Sequence, residues 1–358
     1  MESDKVKIGI VGLGRWAKVL TAAAKGSDKF EIVAGYSRSE EKRQSYQNEF
    51  GITAVPEMQM LLDDPAIKGI ILTVPNEHHL PVAEQVAKAG KQVYTEKPIA
   101  NTLESGLAIE ALQEQYGIQV MVGHSARLLK GVRMMREAMD NGELGRVVFM
   151  EANFSNERAL EITPDTWRWY RDKAPGGPLS QLAIHQFDTL HYLGGEIDSV
   201  ASVASKLSPV GAEVDDQSMT TLKFSDGKLA YIGSSWTSPG IFSVRVFGQK
   251  GLMHYELDFS TWDTPDRLHE TSLLYIQRGK DGYGKREVLE LPPGNMFLDE
   301  LDMFADVCMT GEAPELGASS GNIALAVVNA ALLSIEQNGQ LVSISSVLEE
   351  SHARLNEA

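Results

Sequence analysis

Residues 7–17 read Lys7-Ile8-Gly9-Ile10-Val11-Gly12-Leu13-Gly14-Arg15-Trp16-Ala17. A short, β-rich apolar run ends in glycine, and an alanine-rich stretch suited to a helix follows over residues 16–25. The turn between them has the pattern G-x-G-x-x-A, placed where a dinucleotide site needs it. Gly12 permits the tight turn, Gly14 lets backbone approach a pyrophosphate, and Ala17 allows close packing of helix on strand. The helix N-terminus then faces the anion. Leu13, Arg15 and Trp16 share the turn and count as candidate cofactor contacts. The plainer alternative is a glycine turn that merely packs.

Outward from this turn, apolar runs at 30–36, 54–55, 69–74, 92–95 and 119–122 alternate with helical stretches at 40–50, 80–89 and 103–116. Strands alternating with helices of that length predict a doubly wound parallel sheet, an N-terminal Rossmann domain of the α/β class. The rhythm changes after Gly123. A helix over 132–141 precedes strand candidates at 147–154, 200–206, 219–224, 228–235 and 242–247, several of them alternating and joined by turn pairs such as Asp226-Gly227. That spacing predicts an α+β domain with a large, mostly antiparallel sheet. Three helices, at 179–193, 297–309 and 322–338, complete it. We therefore expect a dinucleotide-binding domain over 1–125 and a second domain over 126–358. Two domains suit 358 residues, since single cores stop growing near roughly 250 to 300 residues.

Composition narrows the function. Lys and Arg number 33 against 49 Asp and Glu, a net charge of −16, and no basic cluster stands out, so neither nucleic acid nor anionic membrane is an expected partner. The apolar runs look strand-sized, as at residues 70–75, and no membrane span is expected. The single Cys308 cannot form an intrachain disulfide, and residues 1–12 lack the layout of a secretory signal, which points to the cytoplasm. No Cys or His spacing resembles a metal site.

The second strand runs Ala34-Gly35-Tyr36-Ser37-Arg38, with Ser37 where an acid would bind the ribose 2'-hydroxyl of NAD. Arg38 can pair with a 2'-phosphate and Ser37 can donate to it, so the reading favours NADP over NAD. In Thr95-Glu96-Lys97-Pro98, Pro98 restricts Lys97 to extended geometry at a strand's carboxyl end, the ligand edge of an open α/β sheet. There Lys97 can hydrogen-bond a reacting oxygen. In Gly176-Gly177-Pro178-Leu179-Ser180-Gln181-Leu182-Ala183-Ile184-His185-Gln186-Phe187-Asp188 a Gly/Pro turn enters a helix that puts Gln181, His185 and Asp188 on one face. Plainer alternatives are a solvated Arg38, a surface Lys97 and a packed His185. Arg127, Trp167 and Arg168 are further pocket candidates, since tryptophan beside arginine suits a sugar face or a carboxylate.

With these motifs assembled, the chain resembles the Gfo/Idh/MocA oxidoreductases, the glucose-fructose oxidoreductase and inositol dehydrogenase group, over essentially its whole length. The likeness rests on the Gly12–Ala17 turn, Val74-Pro75-Asn76-Glu77-His78-His79, the run from Gly90 through Glu96-Lys97-Pro98, Gly123-His124-Ser125-Ala126-Arg127, and the Gly176–Asp188 helix. The resemblance adds Thr73, Pro75, Asn76, His79 and Glu96 to the cofactor contacts. It implies a substrate pocket between domains, with the residues matching Lys97 and His185 flanking the carbon that exchanges hydride. It also implies a homodimer or homotetramer through the C-terminal sheet. Many members carry an acid four residues before that histidine, where this chain has Gln181. Glutamine orients a hydroxyl but cannot accept a proton, which leaves His185, supported by Lys97, as the candidate base. The expected reaction interconverts a secondary alcohol and a ketone on a sugar, polyol or related hydroxylated ring. Alternatives are a dihydrodiol or aromatic-derived ring dehydrogenase and a non-catalytic dinucleotide sensor.

Overall fold

The computed structural model describes residues 5–258, 264–279 and 285–357. The chain divides into two compact units, Met1–Ser125 with Met296–Asn322 and Arg354–Ala358, and Ala126–Asn295 with Ile323–Ala353.

The first unit runs β1 (Val6–Val11), α1 (Arg15–Ala24), β2 (Phe30–Tyr36), α2 (Glu40–Phe50), β3 (Thr53–Val55), α3 (Gln59–Asp63), β4 (Ile67–Leu72), α4 (His79–Lys88), β5 (Gln92–Glu96), α5 (Leu103–Tyr116) and β6 (Val120–Gly123). Its six strands pair in parallel in the order β3-β2-β1-β4-β5-β6. Chain order reverses between β1 and β4, the switch point where such sheets bind ligands. Ile8, Ile10, Ile70, Ile71 and Leu72 are fully buried, as strands covered on both faces must be. Helix α2 starts where Ser39 Oγ accepts from the Lys42 N–H at 3.2 Å, has two glutamates in its first turn, and ends at Gly51 in the left-handed region.

The second unit begins with α6 (Lys130–Asp140), β7 (Val147–Ser155) and α7 (Ile184–Gly194). It continues through β8 (Ile197–Ser205), β9 (Gln217–Phe224), β10 (Leu229–Ser235), β11 (Ile241–Gly248), β12 (Gly251–Leu257), α8 (Leu268–Thr271), β13 (Leu273–Arg278) and β14 (Glu287–Val288). After α9 (Met296–Thr310) and α10 (Ala318–Glu336), β15 (Val342–Ser343) and α11 (Ile344–Glu357) close the chain. The second sheet has nine strands in the order β14-β13-β12-β11-β7-β10-β9-β8-β15, all antiparallel except the pair β7 and β10. Side chains alternate in and out: Ser218, Thr220, Leu222 and Phe224 of β9 are buried, while Met219, Thr221 and Lys223 face outward. Val148, Val203, Met219, Leu229 and Tyr231 stand exposed.

Two expectations are revised. Helix α9 belongs with the first unit, where Phe297 meets Trp16 and Phe304 meets Tyr94 edge to face, and Ser27 Oγ donates to Asp302 at 2.5 Å. The second revision concerns apolar runs, which are not all strand-sized. Helix α10 has the length and mean hydropathy, 1.6, of a membrane span. Of that window 61% is buried inside the protein, as in a core helix, which makes it weak evidence for a span.

Candidate active site

The β1 turn holds two glycines for different reasons. Gly12 has φ +97°, and a Cβ there would stand 2.8 Å from the Thr73 carbonyl carbon and the Val74 nitrogen, so the chain itself bars a side chain. Gly14 has φ −89°, open to any residue, and a Cβ there would meet no atom within 4 Å. Packing among the described residues gives no reason for glycine at Gly14, and the space beside it is open to a ligand. The N-terminus of α1 begins at this point with no side-chain cap and no acid in its first turn, which leaves its first N–H groups for an anion. The Gly12 N–H donates to the Tyr36 carbonyl at 2.8 Å, the Thr73 N–H to Val11 at 2.9 Å, and the Thr73 hydroxyl to the Gly12 carbonyl. Beside the turn opens a cleft of ≈ 270 Å³ lined by Leu13, Gly14, Arg15, Lys18, Glu41, Lys42 and Ser45, in which the three cations outweigh the one carboxylate. These residues fit a dinucleotide pyrophosphate.

Ser37 and Arg38 follow β2. Arg43 on α2 donates to the Ser37 carbonyl at 2.6 Å and to the Arg38 carbonyl at 3.3 Å, pinning the loop. Arg38 Nη2 reaches His78 Nε2 at 3.3 Å. Neither Arg43 nor His78 was legible as part of this corner. Arg43 sits in a helix made mostly of polar residues, and His78 lies 40 positions from Arg38.

Strand β5 carries Lys97, half-buried, to its carboxyl end. Pro75 and Asn76 sit at a short 3₁₀ turn after β4, Pro75 exposed and Asn76 half-buried. His79, expected at the cofactor, is fully buried. Its Nε2 lies 3.0 Å from the Val74 carbonyl, and its Nδ1 lies 3.0 Å from Thr95 Oγ1 and 3.1 Å from the Ile99 carbonyl. Burial holds its pKa below the usual histidine range. Both ring nitrogens are thus committed to the chain, and His79 ties the turn after β4 to the loop after β5. Glu96, also expected at the cofactor, is buried and accepts from the Trp16 indole and the Tyr94 hydroxyl.

In the second unit the histidine helix opens with one widened π-type turn, Leu179–Ala183, before regular α7. Such turns concentrate at functional sites, and sequence period alone cannot show them. Gln181 and His185 are half-buried, with Gln181 Nε2 3.5 Å from Ser180 Oγ and the His185 ring 5.5 Å from that of Phe154. Asp188, which the helical period places with them, engages Arg127. Asp188 is 1% exposed and is gripped by Arg127, Nε to Oδ2 at 3.0 Å and Nη2 to Oδ1. Arg127, expected at the substrate, is 4% exposed in that pair. Trp167 is 39% exposed, and the Arg168 guanidinium stacks over its ring at 4.1 Å. Among the described residues no group of three or more His, Cys, Asp or Glu can hold a metal ion.

A family model described as the oxidoreductase family with NAD-binding Rossmann fold matches residues 6–124, and a GFO/IDH/MocA C-terminal domain model matches 132–254. A solved oxidoreductase of Desulfitobacterium hafniense, named for NADPH dependence, is 36% identical and superposes with a TM-score of 0.92 over 97% of this chain and 99% of that one. Among curated relatives, a 1,5-anhydro-D-fructose reductase of Ensifer adhaerens is 25% identical over 77% of this chain and 89% of its own length. A myo-inositol 2-dehydrogenase of Thermotoga maritima is 24% identical over 93% and 97%.

Proposed function

The chain belongs to the Gfo/Idh/MocA family of NAD(P)-dependent oxidoreductases, and on that premise we propose that it interconverts a secondary alcohol and a ketone on a sugar, polyol or related hydroxylated ring. The observation that supports this reading most is at Gly14, where a Cβ would meet no atom of the described residues within 4 Å, which leaves the turn open to a dinucleotide. Relatives named for anhydrofructose and inositol support the substrate class. Bound here, the cofactor supplies or accepts the hydride. The Gly12–Trp16 turn and the N-terminus of α1 hold its pyrophosphate, and Ser37 and Arg38 take a 2'-phosphate, which favours NADP.

Lys97 donates a hydrogen bond to the reacting oxygen and stabilises alkoxide character as it develops, while His185 takes the hydroxyl proton. Gln181 orients the hydroxyl, and Trp167 with Arg168 presents a flat cationic face suited to a ring. The exposed apolar residues of the second sheet support a homodimer or homotetramer formed through it. Incubation with NADP or NAD and a panel of sugars, polyols and cyclic diols, following absorbance of the reduced cofactor, tests the reading. Turnover of a polyol or sugar is expected. Tight cofactor binding with no turnover of any compound would instead indicate a dinucleotide sensor.

A further inference from the structure

Beside Lys97 the first unit buries a polar cluster for which the proposed reaction has no use. Glu96 is 6% exposed and Glu300, on α9, 1%. The Tyr94 hydroxyl lies 3.4 Å from Glu96 Oε1 and also hydrogen-bonds Glu300. The groups facing Glu96 are the Trp16 indole from α1, the Tyr94 hydroxyl and Lys97 ammonium from β5 and its end, and Glu300 from α9, with Asp299 beside Glu300. Gly123 makes room for the cluster, since a Cβ there would collide with the Tyr94 hydroxyl oxygen.

Two carboxyls in one desolvated cluster do not both ionise near neutral pH. Burial raises Glu96 to about 7, and burial together with the Glu96 charge raises Glu300 well above the carboxylate range, so Glu300 keeps the proton. Its Oε2 has no hydrogen-bond partner among the described residues. A neutral acid leaves only a weak acceptor stranded there, whereas a carboxylate would leave a desolvated charge. The direction of the bonds follows: the Glu300 hydroxyl donates to Tyr94, and the Tyr94 hydroxyl donates to Glu96.

We propose that Glu300 is a positioning residue for the reaction: its carboxyl heads a hydrogen-bond chain through the Tyr94 hydroxyl to the Glu96 carboxylate, and that chain sets the charge beside Lys97. The proposal rests on the reading of Lys97 given above. Losing the donor at residue 300 destabilises the Glu96 anion, so Glu96 protonates at higher pH and Lys97 loses its counter-charge in the neutral range.

The test uses the full-length protein and follows the ¹⁵N–¹H shift of the Trp16 indole against pH, assigned with Trp16→Phe. In the wild type it is expected to titrate with Glu96, above the usual carboxylate range. Glu300→Gln, whose amide still donates, titrates within a few tenths of a unit of the wild type. Glu300→Leu titrates about one unit higher, roughly a tenfold gain in proton affinity. Tyr94→Phe, which cuts the chain without touching Glu300, shifts in the same direction and stands in should the leucine variant fail to fold. Wild-type titration in Glu300→Leu or Tyr94→Phe, or an equal shift in Glu300→Gln, overturns the proposal. The acid limb of kcat moves in the same order. An indole shift without a matching kcat shift overturns the positioning role. Failure of the Lys97 reading shows separately, as full turnover by Lys97→Met.

Discussion

The guanidinium of Arg127 grips both carboxylate oxygens of Asp188, a charged pair buried inside the second unit across 61 residues of sequence. The Tyr192 ring lies 5.4 Å from the same guanidinium. A pair this buried is costly to break from one side, because a desolvated charge is left without its counter-ion. Asp188→Ala is expected to destabilise the protein by about 3 to 5 kcal/mol, with the isosteric apolar pair Arg127→Met/Asp188→Leu recovering much of the loss. Denaturant unfolding of the two variants and the wild type measures it. A loss under about 1 kcal/mol in Asp188→Ala, as for an exposed pair, would show that the bond is not structural.

The corner formed by Ser37, Arg38 and His78 predicts cofactor choice. An arginine pairing with phosphate contributes about 1.5 to 3 kcal/mol, or about ten- to a hundredfold in affinity. Ser37→Asp combined with Arg38→Ala is expected to invert the preference from NADP to NAD, restoring a ribose acceptor while removing the phosphate partner. Titration of both cofactors into both proteins decides it, and equal or tighter NAD binding by the wild type would refute the preference.

The fold was readable because its signals are local. Strand runs such as Ile8–Val11 and Ile70–Leu72, the glycine turn and the alternation of β9 each carry their period within a few residues. Strand β12 was not, since Gln249 and Lys250 before it give no turn signal and its residues are buried without clean alternation. Nor was α9's place in the first unit, which depends on contacts such as Phe304 with Tyr94. The sequence motifs could nominate candidate site residues by type and position. What they touch was not: the partners of Asp188, His79 and Glu96 lie across the fold, and the π-type turn after Pro178 breaks the period used to align Gln181 with Asp188.

Glu96 also predicts a pH-dependent cost. Its carboxyl is raised from 4.5 to about 7, chiefly by burial, so between those values the folded chain holds the proton more tightly than the unfolded chain does. Stability therefore falls as pH rises through that window. Glu96→Gln, which cannot ionise, is expected to match the wild type near the lower value and to exceed it by about 1 to 3 kcal/mol above the upper one. Thermal unfolding across pH reads the difference, and parallel pH profiles for the two proteins would contradict it.

The proposed reaction turns on Lys97 acting at the reacting oxygen. Steady-state kinetics of Lys97→Met, with cofactor affinity measured alongside, test it most directly. Loss of a positioned acid-base group lowers kcat by about two to four powers of ten while cofactor affinity stays near wild type, and His185→Ala is expected to show a similar loss. A rise in KM with kcat unchanged would make Lys97 a binding residue and contradict the account.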